Sequence, residues 1–363
     1  MSRLSFVFSF KKAFRGGPGV LALAACLAAG CGGGGENAAN APGGAGGVAP
    51  EKRIKLLFVT NSDADWWNAV EKGMEDASKT NHCDVEMKRN GGKTDGQIRI
   101  LEDALSRSDI QGVAVSVLEP NAPGIADAMR ELRKSGKVVI TIDSDGLPDT
   151  RSAYIGTVNR KAGEAAGRAA KALRPQGGET AVFVGVASAA NAIERSEGFF
   201  AGAGPAFKQI EVFEDGNDFV KAQSNVQSAI TKHPNVGVLL GLWSYNAPRI
   251  AEEANKRPEV RKKVTVVTFD LDELTIPALE KGEIDVSVVQ NPYTMGLLAV
   301  RLLKAYIEKD KDTIDSMLPK GTTSIDTGVR IVVPTKDSPV KGDDVIDIEG
   351  MKAFLASKGL KSS

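Results

Sequence analysis

Residues 54–67, Ile-Lys-Leu-Leu-Phe-Val-Thr-Asn-Ser-Asp-Ala-Asp-Trp-Trp, contain the unit from which the rest of the chain is built. The apolar run 54–60 has the length and β-branched content of a buried strand. A polar loop, 61–65, follows, and two adjacent tryptophans open a stretch of helical period over 66–80. The same unit then recurs. Strands are expected at 85–88, 112–117, 138–142 and 153–156, with helices between them at 95–107, 123–135 and 160–173. Ile98, Leu101, Ala104 and Leu105 carry the spacing of a helix that covers a sheet.

A second series begins after residue 175. Strands are expected at 180–184, 210–213, 236–240, 264–269 and 284–289, separated by helices near 193–206, 220–232, 247–257 and 273–281. A helix over 291–309, a late strand at 329–333 and a short helix within 348–360 complete the pattern. Such alternation requires parallel strands joined by crossover helices on both sheet faces. Two sets of about five strands exceed one compact core. The expected fold class is therefore α/β, with two Rossmann-like lobes joined by a multi-strand hinge. The chain is expected to cross near 156–159, 290–292 and 324–328, giving lobes at 54–156 plus 291–325 and at 158–289 plus 326–363.

In open α/β sheets the ligand lies outside the carboxyl ends of the strands. Those ends carry Asn61 to Trp67, Asp143 to Gly146, Trp243 to Asn246, Asp270 to Asp272, and Gln290 with Asn291. All three tryptophans of the chain fall there. Flat apolar rings beside carboxylates and amides suit a carbohydrate, whose C–H faces stack while its hydroxyls donate and accept. Asp218, in the loop before a helix, is a further candidate. Glu119, before Pro120, reads as a turn residue at the cleft rim.

Of 363 residues, 46 are Lys or Arg and 46 are Asp or Glu. Zero formal net charge lacks the basic surplus of a nucleic-acid surface or a polybasic membrane patch. The first residues are of another kind. Arg3, Lys11, Lys12 and Arg15 precede a short apolar run at 20–29, too short to span a bilayer as a helix and shaped like a secretory signal. It ends in Leu27-Ala28-Ala29-Gly30-Cys31, which resembles a bacterial lipobox with Cys31 as the lipidated residue. Leu23-Ala24-Ala25-Cys26 is the rival site, and a plain cleavable signal is the third reading. The Gly- and Ala-rich stretch 32–50 has no core-forming residue and serves as a tether with a reach of roughly 25 Å. Once the signal segment 1–31 is set apart, Cys83 is the one remaining cysteine, so no disulfide framework follows. His82 and Cys83 lack the partners of a metal site, and neither a metal nor a cofactor is expected.

Together these residues resemble the ribose-binding-protein family of type I periplasmic binding proteins. The likeness covers roughly 54–335. It rests on the strand, loop and aromatic pair from Phe58 to Trp67, on Thr141-Ile142-Asp143, and on Arg195-Ser196-Glu197-Gly198-Phe199. Thr268-Phe269-Asp270 and the strand-ending Gln290 complete the order. The resemblance implies ring stacking by Trp66 and Trp67. It implies hydroxyl recognition by Asp143 and Asp270, donation by Arg195, and both roles for Gln290. Trp243 and Asn246 stand where the family more often has an Asn-Asp ending. Ser144 replaces an arginine and Ala64 an asparagine, a role that passes to Asp63 or Asp65. It further implies a periplasmic or cell-envelope lipoprotein that binds a neutral monosaccharide for an ABC transporter permease. No nucleic acid is expected, the membrane is touched through the lipid alone, and the body is a monomer. A sugar-sensing component that presents the ligand to a membrane sensor is the alternative partner.

Blander readings stand beside these. The tryptophans can form a hydrophobic staple, although two neighbours on a helix do not face one core. The aspartates can cap helices or turns. Arg195 can pair with Glu194 or Glu197 at the surface, and Gln290 can bond to backbone where the lobes meet. No phosphate loop, nucleotide fingerprint or nucleophile elbow is present, and no catalytic residue is expected.

Overall fold

The structure is a computed structural model that describes residues 53–318 and 320–363. The signal segment, Cys26, Cys31 and the tether lie outside the described residues.

The first half runs β1 (Ile54–Val59), α1 (Trp66–Asn81), β2 (Cys83–Lys88), α2 (Thr94–Ser106), β3 (Ile110–Val115), α3 (Pro123–Lys134), β4 (Val138–Ile142) and β5 (Tyr154–Gly156). The second runs α4 (Asn159–Leu173), β6 (Gly178–Val184), α5 (Ala190–Ala203), β7 (Phe207–Glu214), α6 (Phe219–Lys232), β8 (Val236–Gly241), α7 (Asn246–Asn255), α8 (Pro258–Arg261), β9 (Thr265–Phe269), α9 (Thr275–Glu280) and β10 (Val286–Val289). The chain then adds α10 (Pro292–Glu308), α11 (Lys311–Met317), β11 (Ser324–Asp326), β12 (Arg330–Val333), β13 (Val345–Asp347) and α12 (Ile348–Ser357).

Two sheets result, in the orders β11-β5-β4-β3-β1-β2 and β13-β12-β10-β9-β8-β6-β7. Within each, the first strand of the series lies between the second and the third, so both lobes are wound the same way. Every pair is parallel except β10 with β12. The chain passes between the sheets three times, after β5, β10 and β11. Thr157 Oγ1 donates to Gln290 Oε1 (2.9 Å), which ties the first two passages together, and Thr327 N donates to Gly156 O (2.8 Å) across the first and third.

Close helix pairs brace the two lobes. In the first, α1 packs on α10, where any side chain at Gly73 or Gly296 would collide with the facing backbone. In the second, α4 meets α5 through Gly163 and Gly198 in the same manner. Central strands such as Val113–Val115 and Val238–Leu240 are fully enclosed, as expected of sheets covered on both faces. One expected helix moved: α5 starts at Ala190 and stops at Ala203, because Gly204 (φ 85°) turns the chain before Pro205. The short elements α8, α11, β11 and β13 had no signal of sufficient length to be read in the sequence.

Candidate ligand-binding cleft

The two switch points of the sheets face each other across the gap between the lobes. Asn61, Ser62, Trp66 and Trp67 follow β1, and Asp143 follows β4. From the other lobe come Asn191 and Arg195 on α5, Trp243 to Tyr245 after β8, Asp270 after β9 and Gln290 after β10. They line a cavity of about 30 Å³. The walls are shut: Trp66 is 5% exposed, Asp143 5%, Arg195 1% and Asp270 2%.

Charge is arranged around Arg195. Its Nε donates to Asn159 Oδ1 (3.0 Å), its Nη1 to Leu242 O (2.8 Å), and its guanidinium lies 4.7 Å from the centre of the Phe269 ring. Nη2 is buried without a protein partner. Asp143 Oδ2 accepts from Ser116 Oγ (2.8 Å) and Asn61 Nδ2 (3.2 Å), while Oδ1 accepts nothing among the described residues. Asp270 is held on both oxygens by Gln290, from its backbone N (3.0 Å) and its Nε2 (2.9 Å). Burial pushes the Asp143 carboxyl up to about 6; Arg195 pulls it back, and Asp270 adds repulsion. Burial raises Asp270 as well, again opposed first by Arg195.

Both aspartates sit at left-handed backbone angles, φ 59° for Asp143 and φ 63° for Asp270. Such conformations are strained for most residues and tolerated best by Asp and Asn. They occur at equivalent strand ends of the two lobes, and they turn each carboxylate off its strand axis into the gap.

The aromatic walls are fixed edge to face. Trp66 and Trp67 have ring centres 5.0 Å apart at 83°, and Trp67 Nε1 donates to Ser62 Oγ (3.1 Å). The indole N–H of Trp66 makes no full hydrogen bond with protein, although it lies close enough to Asp270 to favour its ionised form. Across the cavity, Trp243 Nε1 donates to Asn191 Oδ1 (3.2 Å), and Trp243 stands at 77° to Tyr245. Two buried donors, on Arg195 and Trp66, and one carboxylate oxygen of Asp143 are thus left for something other than protein. An unsatisfied buried polar group is costly, and groups of them in one cavity mark a polar ligand.

The sequence pattern of the periplasmic binding protein domain matches residues 54–311. The chain belongs to that family. This binding protein is 26% identical over 253 residues to the D-ribose/D-allose-binding protein of Pseudomonas aeruginosa, covering 65% of this chain and 76% of that one. It is 23% identical over 316 residues to the xylose/arabinose-binding protein of Sulfolobus acidocaldarius, covering 82% and 76%. Among solved structures, it is similar to a Burkholderia graminis solute-binding protein of an ABC transporter, in complex with D-arabinose. There the TM-score is 0.70 at 28% identity, over 81% of this chain and all but 1% of the other, 99% being covered. A glucose-galactose-binding protein of Geobacillus stearothermophilus gives 0.71 at 26%, over 80% and 100%. The relatives are binding proteins rather than enzymes, and so is this chain.

Several residues of the binding protein sit where the sequence did not put them. Asp218 is exposed and caps α6 through Val220 N and Lys221 N, so it does not line the cavity. Asn246 does not line it either: its side chain accepts from Trp243 N (3.1 Å) and donates to Asp215 Oδ2 (3.1 Å), positioning the wall from behind. Asp63 and Asp65 are exposed and do not line the cavity, whereas Asn61 does and donates to Asp143. Glu197 pairs with Arg160 (2.6 Å), which leaves Arg195 to the cavity. Trp66 and Trp67 are both buried against the cavity, beyond what a staple requires. Asn191 was missed as a lining residue, whereas Ser62, Ser244 and Tyr245 lie in the strand-end runs without having been singled out. Asn191 carried no strand-end signal, because it reaches the cavity from the first turn of α5. Among the described residues no group of three His, Cys, Asp or Glu side chains is placed to hold a metal ion.

Proposed function

We propose that this protein binds a small neutral sugar, a monosaccharide, between its lobes and delivers it to a membrane ABC importer. The observation that carries the reading is the pairing of stacking surfaces with opposed polar groups. Trp66, Trp67 and Trp243 offer ring faces and edges. Asp143 offers a free acceptor, and Arg195 and Trp66 offer free donors. Vicinal hydroxyls both donate and accept, so a sugar satisfies all of these at once. An anionic solute would meet two aspartates for one arginine, and an apolar solute would leave the donors unpaired. Sugars in the names of the relatives agree with this chemistry.

On the same reading the three passages between the sheets form the hinge, and the protein works in the periplasm or cell envelope, held by a lipid on Cys31. The test is a thermal-shift panel of pentoses, hexoses, polyols, amino acids and nucleotides, because a ligand that binds only the folded state raises the melting point by mass action. A monosaccharide is expected to stabilise the protein. An amino acid that does so where no sugar does would overturn the reading.

A further inference from the structure

A second set of contacts joins the lobes away from the ligand cavity. Gly92, in the β2–α2 loop, has φ 64°, and Asn217, in the β7–α6 loop of the other lobe, has φ 65°. Asn217 Nδ2 donates to Gly92 O (3.1 Å) across the gap, and Asn217 Oδ1 is buried without a partner. The fit allows no side chain at 92: an added Cβ would lie 2.7 Å from Asn217 Cβ. Each loop is pinned within its own lobe, Gly91 N by Asp63 Oδ1 (3.1 Å) and Asn217 N by Asp215 Oδ1 (2.9 Å). Asp215 is 2% exposed and also accepts from Tyr245 O–H (2.5 Å) and Asn246 Nδ2 (3.1 Å). Tyr245 lines the cavity, and Asn246 holds the backbone of Trp243.

We propose that Asn217 is a closure latch on Gly92, and that Asp215 is the positioning residue that couples this latch to the ligand-facing wall of Trp243 and Tyr245. A solute that settles against the wall holds Tyr245 and Asn246 in place on Asp215, which presents Asn217 to the opposite lobe. Neither Gly92 nor Asn217 lines the cavity, so the latch acts on how long the cleft stays shut rather than on solute contacts. The proposal rests on the reading of the cleft as a solute site.

The test has two arms on the full chain, both read as dissociation of D-ribose or D-arabinose. In the first, Asn217→Gly keeps the turn conformation and loses only the amide. It should speed dissociation about three- to tenfold with the association rate unchanged, the range of one lost hydrogen bond. Asp215→Asn should do at least as much. In the second arm, Gly92→Ala sets a methyl against Asn217, where the closed fit has no room for it, and should speed dissociation likewise. An unchanged dissociation rate in Asn217→Gly overturns the proposal. If neither sugar binds the parent chain, the sugar reading fails, and the same rates are read with the solute that raises its melting point.

Discussion

Replacing Asp143 with Asn should raise the stability of the free protein near neutral pH while weakening its hold on the sugar. The two signs come from one side chain. Asp143 is buried, and its carboxyl rises from 3.8 to about 6. Between those values the folded state holds the proton that the unfolded chain releases, so stability falls as pH rises through the window and the full penalty stands above it. Roughly two units correspond to about 3 kcal/mol. Asn cannot ionise, suits the left-handed angle at 143, and can still accept from Ser116 and Asn61. A gain of about 1–3 kcal/mol is therefore expected at pH 7.5, shrinking towards pH 5, where the parent Asp143 is itself protonated. In binding, the amide substitutes a donor for the free oxygen, and loss of a charge-assisted hydrogen bond is worth about 1.5–3 kcal/mol. That is about 10- to 100-fold in dissociation constant. Thermal melts across pH 5–8 with calorimetric titration of the sugar read both quantities. A variant that melts lower at pH 7.5 and binds as tightly as the parent would refute the reasoning.

Four more outcomes are expected. Trp66→Ala should weaken binding about 10- to 100-fold, the worth of a large buried apolar surface, whereas Trp67→Ala should also lower the melting point, since its indole is bonded to Ser62 inside the lobe; equal binding in both variants would remove the tryptophans from the site. Sugar binding near pH 6 should release up to about half a proton, because a hydroxyl donor favours ionised Asp143, with Arg195 aiding that form and Asp270 opposing it. Titrations in buffers of different ionisation heat would reveal this, and a heat independent of buffer counts against it. Small-angle scattering should show a smaller radius of gyration with sugar than without, and a superposable pair of curves contradicts hinge closure. Cys31→Ser should free the protein from membranes in a fractionation; release by Cys26→Ser instead would move the lipid to that residue.

Much of this architecture was legible in the chain because its signal is local. Strand-length apolar runs alternate with helical periods, and that alternation is the mark of parallel strands joined by crossover helices. The strand-end rule then reached Trp66, Trp67, Asp143, Trp243, Asp270 and Gln290 without any contact map, since the sheet direction dictates which loops face the gap. The choices made by tertiary structure concern partners distant in sequence. Asn61 outranks Asp63 and Asp65 because it alone turns toward Asp143. Asp218 and Asp215 are three residues apart, yet one caps a helix in solvent and the other is buried beneath Tyr245. The packing of α5 against the sheet brings Asn191 into the cavity. The left-handed angles of Asp143 and Asp270 are invisible to composition, because Asp occupies ordinary conformations as readily. Local pattern determined where the chain could bind, and the burial of charge between the two lobes decided which groups remain free to do it.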